Sequence, residues 1–212
     1  MQNLSAAHRQ ISASTIECYR AMATPYRDGT WNHDVSQNVQ ALLAAITSVP
    51  PFRILDLGCG PGRDLVTFRD LGHMVVGLDG CPEFVVMAHA VSGCEVWQQD
   101  LLAMTLPAAS FDGVFANAVL FHVPSRALPV VLDWLHATLK SGGVLFVSNP
   151  RGQDEEGFVD GRYACFYNFK TWHRLVSCSG FALVDHYFRP PGKPRHQQPW
   201  LATLWRKPAS PR

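Results

Sequence analysis

Long apolar runs are missing from this chain. No stretch of its 212 residues approaches the roughly 20 consecutive apolar residues that span a bilayer, and Met1 to Gln10 lacks the apolar core of a secretory leader. A surplus of positive charge is missing too: 18 basic side chains stand against 17 acidic ones, a formal charge of +1. Coating nucleic acid requires a basic surface that displaces counterions from phosphates, so that class is disfavoured. The six cysteines (Cys18, Cys59, Cys81, Cys94, Cys165 and Cys178) form no CxxC pair and no cluster with histidine. No zinc spacing is therefore present, and the thiols are expected to be reduced and mostly buried. Charged residues make up only 17% of the chain and hydrophobic ones 47%, which excludes disorder over most of its length. The expectation is one domain over 1–212, cytoplasmic, a monomer or homodimer, with no membrane, nucleic-acid or metal partner.

What is present is a regular alternation. Val39, Leu42, Leu43 and Ile46 follow helical spacing, and Pro50-Pro51 ends that helix. Short apolar runs then predict strands at 52–57, 73–78, 94–97, 111–116 and 143–148, with helical stretches at 64–71, 82–91 and 126–139 between them. Strands alternating with helices predict βαβ units with right-handed crossovers, so the fold class is α/β with a mainly parallel sheet. After a helix at 169–179, two strands at 181–188 and 200–205 have no helix between them and are most simply an antiparallel pair. From Arg189 onward the chain carries bases (Arg189, Lys193, Arg195, Arg206, Lys207, Arg212) and no acid.

The stretch Asp56-Leu57-Gly58-Cys59-Gly60-Pro61-Gly62 joins a buried strand to a helix. Glycines there permit a tight turn and let a ligand approach the backbone. The spacing is GxGxG rather than the GxGxxG of dinucleotide folds, and no GK[ST] follows to make a phosphate loop. Asp56, just ahead of the loop, would repel a pyrophosphate and attract an ammonium. Asp79 ends the second strand, where a carboxylate can accept from both hydroxyls of a ribose. Asp100-Leu101 follows the third strand, where Asp100 can take an exocyclic amine while the Leu101 N–H donates to a ring; as an alternative, Asp100 simply caps a helix. Ligands of open α/β sheets bind beyond the carboxyl ends of the strands, and all three acids stand there.

These segments, with Phe111-Asp112-Gly113-Val114-Phe115-Ala116-Asn117 and Leu139-Lys140-Ser141-Gly142-Gly143-Val144-Leu145, resemble class I S-adenosylmethionine-dependent methyltransferases of the small one-domain type. The likeness covers roughly 52–148. It implies a seven-stranded sheet of order 3-2-1-4-5-7-6, the last strand antiparallel, with helices on both faces. It also implies S-adenosyl-L-methionine as cofactor. Asp56, Gly58, Cys59, Gly60 and Gly62 would hold the methionine end, Asp79 and Gly80 the ribose, Asp100 and Leu101 the adenine. Asn117 would contribute its carbonyl. Cys81 stands where relatives often carry a serine. Tyr19-Arg20-Ala21-Met22-Ala23-Thr24-Pro25-Tyr26-Arg27 resembles a segment that folds over the cofactor, placing Tyr26 and Tyr19 in the site and Arg20 or Arg27 at the cofactor carboxylate.

The implied layout is a lid segment at 1–37, a cofactor-binding core at 38–149, and a region at 150–212 holding a substrate loop, the last helix and the strand pair. His122, after the fourth strand, is the candidate general base, with packing beneath the loop as the alternative. Tyr19, Arg151, Tyr163 and Tyr167 are the candidate substrate contacts. Little chain remains beyond the core, so the expected acceptor is a small molecule methylated on O, N or S. A base-amino methylase would carry [DN]PP[YFW] where this chain reads Asn117-Ala118-Val119-Leu120. Protein methylation, a non-catalytic cofactor-binding scaffold and a dehydrogenase are the other readings.

Overall fold

The structure, a computed structural model, describes residues 5–209. Three helices come first: α1 (Ala6–Ala21), α2 (Ala23–Thr30) and α3 (Ser36–Ala45). Then β1 (Arg53–Leu57), α4 (Arg63–Asp70), β2 (Met74–Asp79), α5 (Pro82–Ser92), β3 (Glu95–Gln98), β4 (Phe111–Asn117), α6 (Leu128–Thr138) and β5 (Leu139–Pro150) alternate as the periodicity predicts. The chain closes with β6 (Glu155–Val159), β7 (Arg162–Phe166), α7 (Phe169–Cys178), β8 (Ala182–Arg189) and β9 (Trp200–Arg206).

Seven strands form one sheet in the order β3-β2-β1-β4-β5-β9-β8. The β1–β5 pairings are parallel, while β9 runs antiparallel to both β5 and β8. With the β6–β7 hairpin set aside, this is the expected order 3-2-1-4-5-7-6. Local chemistry explains the elements. β4 is buried along its apolar run because both faces are covered, as parallel sheets require. Pro82 begins α5, where its missing N–H costs nothing, and Gly93 ends it in a left-handed conformation. Asn168 caps α7 by accepting from the Thr171 N–H at 2.9 Å.

Alternate residues of the central strands feed two cores. Ile54, Phe115 and Phe146 pack with Val39 and Leu42 of α3 and with Leu65 and Phe68 of α4. Phe115 stacks on Phe146 at 4.9 Å and meets Phe68 edge-on at 5.2 Å. Leu55, Val114 and Leu145 face the other way, onto Leu132 and Leu135 of α6 and Trp172 of α7. The sheet is thereby fixed from both sides, and its carboxyl edge can hold loops in place.

The substrate loop expected after the fifth strand contains the β6–β7 hairpin, joined by Asp160-Gly161 with φ of 48° and 78°. Two consecutive left-handed residues make the turn that matches strand twist, and Asp-Gly is a favoured pair for it. No helix among the described residues is long and apolar enough to cross a membrane. The terminal bases serve the fold: Arg206 donates to the Gly142 and Ala45 carbonyls, and Lys207 to those of His136 and Leu139. Arg212 lies outside the described residues.

Candidate functional site

Beyond β1 the chain turns back on itself, and the N–H groups of Gly58 and Cys59 donate to the Leu78 carbonyl at 2.7 and 3.1 Å. The Gly60 N–H donates to the Asp79 carboxylate at 2.9 Å, and the Cys81 N–H to its other oxygen at 2.9 Å. Gly58 has a φ of 68°, and a Cβ there would lie 2.3 Å from Val119. Gly62, at 94°, caps α4, and its Cβ would strike the Ala88 backbone at 2.7 Å. Gly58 therefore admits the segment after β4, while Gly62 lets α4 and α5 close together. Burial raises the Asp79 pKa to about 6, against the lowering effect of the backbone N–H donors.

Two cavities open on this edge. The inner one, about 90 Å³, is walled by Ser12, Ile16, Phe84, Asp79, Gly80 and Leu101, with Asp100 also on its wall. Asp100 makes a turn by accepting from the Leu102 N–H at 2.8 Å, and the same oxygen accepts from the Ser12 hydroxyl of α1 at 2.7 Å. Cys81 is buried, its thiol donating to Glu83 at 3.5 Å. The outer cavity, about 670 Å³, adds Cys59, Arg63, Asn117, Arg162, Arg189 and Trp200. Tyr19, Tyr26, Gly58, Gly60, Ala118 and His122 belong to both walls.

His122 sits in a one-turn helix after β4. Its Nδ1 is 2.6 Å from the Tyr163 carbonyl and its Nε2 2.8 Å from the Tyr19 hydroxyl. A carbonyl only accepts, so Nδ1 carries the proton and Nε2 accepts from Tyr19. Burial, with the nearby Arg162 charge, lowers the His122 pKa to about 4 despite the Tyr163 bond. Burial also raises the Tyr19 phenol. Both groups are neutral at neutral pH, and each occupies the other.

A polar chain floors the outer cavity. Arg63 pairs with Asp64 at 2.7 Å and donates to the Thr30 carbonyl at 3.0 Å. Asn117 reaches Asp64 at 3.4 Å and accepts from Asn38 at 3.0 Å, which in turn accepts from the Tyr187 hydroxyl at 2.9 Å. Ala118, beside it, holds a φ of 63°, a strained conformation for a residue with a Cβ.

Asp56 lines neither cavity. It is 2% exposed, one carboxylate oxygen has no hydrogen-bond partner, and burial with the Asp64 charge holds its pKa well above the carboxylate range. Arg151 and Tyr167 also stand apart: Arg151 donates to the Gln198 and Arg195 carbonyls, and the Tyr167 ring lies against Trp172. Tyr163 offers its backbone carbonyl, with its ring against Phe158. Arg20 pairs with Glu83 at 2.9 Å and Arg27 with Asp28 at 2.8 Å, so both expected cofactor-carboxylate contacts are spent on the surface. Sequence reasoning missed Arg63 and Ala118 as wall residues. The Arg63-Asp64 pair directly after the glycines was a signal for the first, whereas a positive φ at alanine has none.

The sequence profile of the family described as "Methyltransferase domain" matches residues 54–143. The chain is 37% identical over 116 residues to a trans-aconitate 2-methyltransferase of Azoarcus sp., covering 54% of this chain and 45% of that protein. It is 34% identical over 113 residues to a ubiquinone biosynthesis O-methyltransferase of Xanthomonas campestris, covering 50% and 46%. The chain thus spans less than half the length of these curated relatives. Its fold is that of the Burkholderia thailandensis 1,6-didemethyltoxoflavin-N1-methyltransferase, solved with its namesake ligand and S-adenosylhomocysteine: TM-score 0.79 and 22% identity, covering 98% of this chain and 93% of that one.

Proposed function

We propose that the chain is a class I S-adenosylmethionine-dependent methyltransferase and that it transfers a methyl group to an O, N or S atom of a small molecule seated in the outer cavity. The observation that carries this reading is the joining of two cavities of different character. One is edged by acids at successive strand ends, the other by aromatics and cations, and they share six wall residues.

The donor and acceptor set fits S-adenosylmethionine. The Asp79 oxygens retain lone pairs for ribose hydroxyls, and Asp100 with the Leu101 N–H suits the adenine edge. Gly58 and Gly60, on both cavity walls, leave room for the methionine chain, while Asp56, buried behind them and outside both cavities, makes no contact with that space. When bound, this cofactor supplies an electrophilic methyl carbon on a sulfonium.

The chain's own part is to hold the acceptor in line with that carbon, and orientation of this kind accounts for much of the rate. Tyr19 and His122 bind each other, so they serve better as a rigid wall than as a base. Six free thiols agree with a reducing, cytoplasmic setting. Near-neutral charge favours a small acceptor over nucleic acid.

Calorimetry with S-adenosylmethionine and with NAD, followed by S-adenosylhomocysteine release over a mixed acceptor library, tests the proposal. Selective binding of the former and turnover with one or more acceptors is expected. Tight NAD binding, or cofactor binding without turnover on any acceptor, would refute it.

A further inference from the structure

We propose that the methyl acceptor is an acid and that Arg162 selects it by pairing with an anionic oxygen group that is not itself methylated. The inference rests on the methyltransferase reading of the site. Three arginines line the outer cavity: Arg63, Arg162 and Arg189. Arg63 is neutralised by Asp64 at 2.7 Å. Arg189 donates to the Asp34 backbone carbonyl at 2.6 Å, and its charge helps hold the Asp34 carboxyl below the usual range.

Among the described residues neither Arg162 nor Arg189 has an acidic partner within ion-pair distance, and the Nε of each is buried without an acceptor. Arg162 differs in that its side chain reaches no backbone carbonyl among those residues either. Its guanidinium lies over the Tyr19 ring at 5.3 Å, and one Nη makes a long bond of 3.4 Å to the Tyr19 hydroxyl.

A half-buried guanidinium with unused donors is costly to maintain. Its planar fork matches a carboxylate, phosphonate or phosphate, which accept two parallel N–H bonds. The backbone beside Arg162 is also held in place. The Tyr163 N–H donates to Thr15 Oγ1 at 3.0 Å, and its carbonyl accepts from His122 at 2.6 Å. Arg162 itself faces Val159 across the hairpin. The cation is therefore presented from a fixed strand over the Tyr19–His122 pair, the part of the wall common to both cavities. An oxygen locked into a guanidinium fork has its lone pairs engaged and attacks poorly. The anchored group is thus a handle, and the nucleophilic atom sits elsewhere on the same molecule.

The test titrates the complex of the protein with S-adenosylhomocysteine. The probes are trans-aconitate, 4-hydroxybenzoate and phenylphosphonate, alongside the trimethyl ester of the first, the amide of the second and the dimethyl ester of the third. At least one acid is expected to bind about tenfold or more tighter than its neutral counterpart, a difference typical of hydrogen bonds to a charged group. The phosphonate arm separates carboxylate from phosphonate recognition. Arg162→Gln should weaken that acid about thirtyfold or more, the loss expected when one partner of a buried charge pair is removed. It should leave the neutral probe and S-adenosylhomocysteine unchanged. Arg162→Lys should recover part of the affinity, which a folding defect would not permit. Equal binding of acid and neutral forms, full acid affinity in Arg162→Gln, or no acid binding by the wild-type complex would each overturn the proposal. Failure of the wild type to bind S-adenosylhomocysteine would instead sink the methyltransferase reading, and this inference with it.

Discussion

Asp79 carries the clearest consequence at the scale of single residues. In the proposed role its carboxylate, raised to about 6 by burial, has to be ionised to accept well from the ribose hydroxyls. Protons compete with the cofactor for it, so cofactor affinity is expected to fall as pH drops through 6, approaching tenfold per unit below it. The effect on folding runs the other way. A raised carboxyl pKa favours the folded state at acid pH, and that contribution is lost as pH rises from about 4 through 6. Asp79→Asn should weaken S-adenosylhomocysteine binding by roughly 1.5–3 kcal/mol and leave it flat between pH 5 and 8; calorimetry across that range reads both. His122 should contribute no rate inflection near the ordinary histidine value, because its own pKa lies at about 4. His122→Ala strands the Tyr19 hydroxyl and the Tyr163 carbonyl. A stability loss of about 1–3 kcal/mol and slower turnover with little change in cofactor affinity are expected. Full turnover in that variant would reduce His122 to a packing role. Asp79 and Asp100 were legible in the sequence because their place at strand ends is a local property. Arg162 was visible as a cation but not as an unpaired one, since pairing depends on α1 and the hairpin meeting.

At the scale of elements, the glycine loop shows how closely two segments can approach. Gly62→Ala places a Cβ 2.7 Å from the Ala88 backbone and forces an alanine into a φ of 94°. Urea unfolding should show a loss of about 1–3 kcal/mol, the range for a strained backbone residue. Ala88→Gly in the same chain should not restore it, because the obstructing atom is backbone and the φ is unchanged. Full recovery would assign the glycine to side-chain packing alone. The alternating strands and helices were readable because hydrophobic period is set by each element's own geometry. The hairpin was harder. Its Asp160-Gly161 turn is a recognised signal, but β6 reads Glu-Glu-Gly-Phe-Val and its exposed first half lacks the apolar alternation of a strand. Its stability comes from β7 and α1, which no local window contains.

For the whole molecule, α1 and the hairpin form one cover over both cavities. Ser12 ties α1 to Asp100 at 2.7 Å, Thr15 accepts from Tyr163 at 3.0 Å, and the Cys18 thiol lies 3.5 Å from the Asp160 carbonyl. If ligands enter under this cover, its two halves must part during turnover, and the geometry offers a lock. A Cβ at Gly161 would stand 3.9 Å from the Cys18 Cβ, within the roughly 3.5–4.5 Å that a disulfide requires. Gly161→Cys incurs backbone strain of about 1–2 kcal/mol at its φ of 78°. Once oxidised, a crosslink closing so long a loop should contribute about 4–5 kcal/mol, outweighing that strain. The oxidised variant is therefore expected to melt higher than its reduced form and to turn over slowly, with dithiothreitol restoring the rate. The wild type under the same oxidant controls for the exposed Cys178. A crosslinked protein that still runs at the reduced rate would place the route of entry elsewhere, with α1 and the hairpin acting as a fixed roof.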